Sequence, residues 1–200
     1  VYYLIDEEGE EGTPDAYELT FTYVSGGNGQ VGGSTSETHT YRVVTRNEDG
    51  TVASDVTTKI VPDADVTVTA DTGYRFVDWT TGAGDHFADA EAIQGSEGYT
   101  EDVTFTANFE KRNDLKYEVH YYYDGVEDTE EAVSVDNATF DAEIPYDMTS
   151  PKEHDDKNYV LDRVVKSGSG RVTVDETQNI VSVYYLIDEE GEEGTPDAYE

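Results

Sequence analysis

Cysteine is missing from all 200 residues of this chain, so neither disulfide bonds nor thiolate metal sites are open to it. Basic residues are scarce: 12 Lys and Arg stand against 46 Asp and Glu, a formal charge of −34. So acidic a chain repels nucleic acid and anionic lipid surfaces, which makes both poor partners. Long apolar runs are missing too. No stretch approaches the roughly 20 residues of a membrane span, and none has the apolar core of a signal peptide, so any leader or anchor is expected outside this sequence. Histidine is rare, and His39, His86, His120 and His154 lie too far apart for an HExxH motif or an i, i+4 pair. The sequence therefore gives no zinc pattern.

Tyrosine, by contrast, is abundant. There are 16 Tyr among many Val and Thr, with one Met and 36% hydrophobic residues, a strand-forming mixture that predicts mostly β structure. The length is enough for one or two domains, each able to bury a core.

Repetition is the strongest signal. VYYLIDEEGEEGTPDAYE, residues 1–18, recurs letter for letter as residues 183–200, a period of 182 residues. The chain reads as one full period of a longer array plus an overhang. Residues 1–16 are then the tail strand and acidic linker of a preceding repeat, and residues 188–200 are the acidic linker into the next one. DEEGEEGTPD, residues 6–15, has charge, Gly and Pro but no hydrophobic periodicity, as linkers do. Residues 1–5 have no preceding domain to complete, and are expected either to be disordered or to pair with a sheet edge.

Between the copies the pattern alternates. In YELTFTYV (residues 17–24), Leu19, Phe21 and Tyr23 share one face, as in a half-buried strand. Residues 38–46 and 51–60 flank NEDG, a hairpin signal. DVTVTA and VTFTANF continue the alternation, while GYRFVDW is out of phase and predicts a bulge that brings both of its apolar sets inward. KRND, residues 111–114, is placed as a domain boundary, giving domains at residues 17–112 and 113–187. The second has strands at residues 117–123, 130–135, 159–165, 171–174 and 179–187, with SGSG (residues 167–170) as a hairpin turn. In residues 137–156, Pro145 and Pro151 leave room for a helix of about one or two turns at most. VYYLI in its second occurrence is the last strand of the second domain.

TYVSGGNGQVGG, VTVTADTGYRFVDW and VTFTANFEK make the first domain resemble the internalin-type B-repeat of bacterial surface proteins. YEVHYYYDG and VSVYY make the second similar to a mucin-binding-protein (MucBP) repeat. The resemblance implies a mostly β fold of two β-grasp, ubiquitin-like domains in tandem.

GNGQVG, residues 27–32, spells GxGxxG after a strand, but no amphipathic helix follows to hold a pyrophosphate, so a glycine-rich turn is the better reading. No Ser or Thr has the sequence setting of a nucleophile, and paired carboxylates at this charge density are no sign of glycosidase chemistry. The acidic loop after residue 123 is a candidate for calcium through Asp124, Glu127 and Asp128, although a hydrated acidic turn accounts for the same letters. Lys-to-Asn isopeptide crosslinks would offset the missing disulfides, but no spacing betrays them. In YEVHYYYD, Tyr122 falls on the face of Glu118 and His120, where an aromatic ring can stack on a glycan; strand propensity explains it equally well.

These observations lead to a non-enzymatic, monomeric stalk segment of a Gram-positive cell-surface adhesin, anchored to the wall through other regions. Its partners are adjacent copies of the same repeat, with no nucleic acid and no membrane insertion. The alternative is an adhesive module that binds mucin or other host glycans, with calcium as an aid.

Overall fold

A computed structural model of the chain describes residues 16–42, 44–49, 51–55 and 59–188. The first VYYLI copy, residues 6–15 of the first expected acidic linker and all but Asp188 of the second, expected at residues 188–200, lie outside this set. The fold is mostly β and falls into two units, divided between Glu110 and Lys111.

Unit 1 begins with β1 (Ala16–Ser25), β2 (Gly29–Gly33) and β3 (Ser36–Arg42). It continues through β4 (Val44–Arg46), β5 (Val52–Asp55), β6 (Val66–Ala70), β7 (Tyr74–Thr81), β8 (His86–Phe87), helix α1 (Ala90–Gln94) and β9 (Val103–Lys111). Its main sheet has the order β3-β1-β9-β7-β8, and its first and last strands, β1 and β9, run parallel at the centre. β2 pairs with β6, and β4 with β5 around NEDG, where the Asn47 N–H donates to the Thr51 carbonyl.

Alternation places the core. Leu19, Phe21 and Tyr23 of β1 are buried, as are Phe105 and Ala107 of β9. Tyr23 stacks on Phe105 at 5.2 Å and meets Trp79 edge-on at 5.8 Å. Burying an apolar side chain of this size stabilises by about 1.5–3 kcal/mol. In β7 the mixed phase resolves only partly: Phe76 and Trp79 both pack into the core, while Val77 between them stays exposed. The short helix α1 is capped by Asp89, whose side chain accepts from the Ala92 N–H, and it delivers Ile93 to the core.

The glycine-rich segment is a strand, not a phosphate loop. β2 approaches Phe109 so closely that a Cβ on Gly29 would lie 2.4 Å from the ring, and Gly33 has φ +84° against the Asp65 carbonyl. Only glycine meets both demands without strain.

Unit 2 contains β10 (Leu115–Tyr123), β11 (Val126–Ala138), β12 (Lys152–His154), β13 (Lys157–Lys166), a 3-10 turn (Glu176–Gln178) and β14 (Ile180–Ile187). The sheet order is β11-β10-β14-β13-β12, with β10 and β14 parallel and the other neighbours antiparallel. The second VYYLI copy therefore forms part of β14, the central strand. Val181, Val183 and Tyr185 point from it into a core shared with Leu115, Val119 and Tyr121.

Asp124 and Gly125 turn β10 into β11 with φ of 49° and 82°, the positive pair of a tight two-residue hairpin. Two expectations fail here. Residues 171–174 are not a strand, and SGSG is not a hairpin turn, because β13 pairs directly with β14 and residues 167–179 form a long connection. Residues 137–156 contain no helix. Backbone groups there bond across to the connection instead: the Asp141 N–H to the Val172 carbonyl, the Val172 N–H to Ala142, and the Ile144 N–H to Gly170. A segment held by such crossing bonds has no need of a helical ladder. Asn179, fully buried, fastens the connection to β10, donating to the Lys116 and Thr173 carbonyls at 2.9 and 2.8 Å and accepting from the Thr173 N–H at 2.7 Å.

Candidate functional site

β10, β11 and β12 bring a set of polar side chains to one crevice of unit 2. Its walls include Tyr123, Asp124, Glu127, Asp128, Glu131 and His154. Tyr123 is the last residue of β10 and faces inward; its ring lies flat against His154, with centroids 3.8 Å apart and planes 2° from parallel. The Tyr123 hydroxyl donates to Glu131 Oε2 at 2.8 Å. Lys152 Nζ donates to the same oxygen at 2.9 Å and stands 3.4 Å from Asp147 Oδ2. Burial and the Glu131 contact push the Tyr123 hydroxyl up to about 12. Burial also works against the charge of Lys152, but Glu131 and Tyr123 outweigh it and hold the ammonium above the ordinary lysine value. The Tyr121 ring, 4.8 Å from Nζ, adds a cation–π contact. Lys152 thus acts as a cation paired with Glu131 and Asp147 at the edge of this crevice.

The three residues singled out for calcium line this crevice, but their oxygens serve different partners. Asp124 Oδ1 accepts from the Ile187 N–H at 3.0 Å, and Glu127 Oε1 lies 2.6 Å from His120 Nδ1. Asp128 Oδ1 accepts from the Glu130 and Glu131 N–H groups at 2.8 and 3.3 Å. It is Asp128 alone of the three that converges with Glu131 and His154, whose ligand atoms lie within 4.8 Å of one another. Sequence reading missed both of those residues. β12, which carries His154, is three residues long and shows no alternation. A register shift in the β10–β11 pairing then decides which acidic side chain of β11 faces it. The readable clue was Asp124-Gly125, which fixes where β11 starts.

Tyr122 lies on the other face of the sheet. It stacks on Tyr184 at 4.6 Å, with planes 13° apart, and the Arg163 guanidinium sits 4.2 Å from the Tyr184 centroid. Register puts Tyr122, Tyr184 and Arg163 side by side across β10, β14 and β13. His120 beside them is held between Glu127 and Glu118. Burial raises the Tyr122 hydroxyl above the ordinary tyrosine value, with the Glu127 charge adding to it.

Unit 1 has a parallel arrangement with a different outcome. The Tyr23 hydroxyl donates to Glu37 Oε1, the Ala64 N–H reaches the same oxygen, and Oε2 meets the Asp63 N–H and His39 Nε2, each at 2.9 Å. Burial alone would raise this carboxyl; the hydrogen bonds from Tyr23, His39 and the two backbone groups outweigh it and hold Glu37 below its usual range. Both oxygens are engaged, so this is a hydrogen-bond hub that ties β1, β3 and the loop before β6 together.

Compared with known protein families and with curated proteins, the sequence matches no family and no protein. Among the described residues no helix is long and apolar enough to cross a membrane.

Proposed function

We propose that the chain is a stalk segment of a bacterial cell-surface adhesin, of the Gram-positive type, in which tandem copies project a distal binding domain from the wall without catalysis. The observation that carries this reading is the identity of residues 1–18 with residues 183–200. The second copy begins inside β14, the central strand of unit 2, and runs on into the acidic segment after it. A repeated segment that leads from the last strand of one domain through an acidic link to the letters that open β1 is what a chain of folded bricks would contain. The finer fold reading is of two β-grasp-like domains, related to the B-repeat and MucBP types. Its support is the parallel pairing of first and last strands in mid-sheet, β1 with β9 and β10 with β14, each flanked by an antiparallel neighbour.

The mechanism is geometric. A domain of about 90 residues has a diameter near 30 Å by the usual scaling of size with length, so each added repeat lengthens the reach. Carboxylate repulsion at −34 opposes collapse of neighbouring repeats and lateral aggregation. Small-angle scattering on chains of one, two and three repeats tests this: maximum dimension should rise linearly with copy number, and a plateau would refute a stalk.

A second reading, adhesion to mucin or another host glycan, is favoured by one observation, the Tyr122–Tyr184 stack with Arg163 beside it. Aromatic faces next to hydrogen-bonding groups suit sugar rings. A glycan array with and without calcium, repeated with Tyr122→Ala, separates the readings: binding lost in the variant favours adhesion, and no binding by the parent chain removes it.

A further inference from the structure

We propose that Asp128, Glu131 and His154 form a binding site for a divalent transition ion of the zinc class, held by one imidazole nitrogen and two carboxylate oxygens. This goes beyond the stalk reading and does not depend on it. His39, His86 and His120 each have a ring nitrogen within 2.9 Å of a carboxylate oxygen. His154 differs: its Nε2 stands 3.6 Å from Asp155 Oδ2, its Nδ1 stands 3.6 Å from Asp128 Oδ2 and 4.0 Å from Glu131 Oε1, and among the described residues the ring makes no hydrogen bond, although the side chain is only 19% exposed. Those separations are too long for a hydrogen bond. The two from Nδ1 are close to the spacing of donors around one ion: bonds of about 2.0–2.2 Å in a tetrahedron set neighbouring donors about 3.4 Å apart.

The supporting contacts are in place as well. Each carboxylate spends one oxygen on the protein and turns the other toward His154. Asp128 Oδ1 is fixed by two backbone N–H groups, and Glu131 Oε2 by the Tyr123 hydroxyl and Lys152. The imidazole plane is fixed by stacking on Tyr123 and by the edge of Tyr159, 6.0 Å away. Outer contacts that orient ligands in this way are a regular part of metal sites.

The donor set selects the ion. One imidazole and two carboxylates suit zinc-class ions, whereas calcium requires six to eight oxygens, which this trio does not offer. Lys152 opposes a cation, but its ammonium is directed at Oε2, and Asp124, Glu130 and Asp155 line the same crevice and restore a negative field. The unit 1 trio of Glu37, His39 and Asp63 is not equivalent, because both Glu37 oxygens already accept hydrogen bonds.

The test is calorimetric titration of the 200-residue chain with Zn²⁺ in excess Mg²⁺, which occupies the diffuse carboxylates, together with Co²⁺ absorption spectroscopy. One saturable ion per chain and a visible ligand-field band of low-symmetry Co²⁺ are expected. His154→Phe keeps the ring on Tyr123 but removes both nitrogens, and should weaken binding more than about tenfold, the loss that removal of even a supporting group produces. Asp128→Asn should do the same and decides the matter if the first variant fails to fold, while His120→Phe should bind as the parent does. Absence of saturable binding above the Mg²⁺ background, unchanged affinity in Asp128→Asn, or equal loss in His120→Phe would each overturn the site.

Discussion

At the residue scale, one buried and one half-buried polar group, Asn179 and Glu37, set the chemistry of their units. Asn179 bridges the connection before β14 to β10, so Asn179→Ala leaves two carbonyls and the Thr173 N–H without partners in a fully buried position. Unsatisfied buried groups cost about 1–3 kcal/mol each, and a loss of about 3 kcal/mol in unit 2 is expected in urea unfolding followed by far-ultraviolet circular dichroism. Glu37 sets a pH limit. Its folded pKa is depressed, so its contribution is fully present above the unfolded carboxylate value of about 4.3 and is lost as pH falls through the folded value. Tyr99, Tyr123 and Tyr185 are pushed up to about 12, mainly by burial, so their contribution is present below the unfolded value of about 10 and is lost as pH rises from there toward 12. Thermal midpoints should fall on both sides of that window, and Glu37→Gln should flatten the acid limb.

At the element scale, period-two alternation was readable wherever one face is buried. β1, β9, β10 and β14 follow it closely, because each lies at the middle of its sheet and must hide one face. Residues 171–174 alternate too, yet they lie outside the sheet. Val172 is buried beneath the crossing bonds to residues 141 and 142 while Val174 stays exposed, an arrangement set by a partner 30 residues away in sequence rather than by local pattern. β2 was hidden for the opposite reason, since its glycines carry no side-chain pattern and answer to the ring of Phe109. Gly29→Ala overpacks that contact, and should destabilise unit 1 by about 1–3 kcal/mol. Trp79 is the chain's one tryptophan and is buried in this core, so its fluorescence reports the shift.

At the scale of the whole molecule, charge dominates. A chain at −34 repels itself, and added salt screens that repulsion, with a screening length of about 8 Å at physiological ionic strength against about 30 Å at 0.01 M. The thermal midpoint measured by scanning calorimetry should therefore rise between those two conditions. A fall would mean that the ion pairs of the two units outweigh the general repulsion.

Composition and pattern determined the mostly β class, the inward faces of the central strands and the repeat, because each is written in neighbouring letters or in letters that recur. The tertiary structure alone decided which acids meet which histidine. Asp128 and Glu131 lie on one edge strand and His154 on a three-residue strand at the opposite edge of the sheet order, and no local pattern encodes how the two edges approach over Tyr123. Curvature and register bring them together, and both arise from packing of the whole unit.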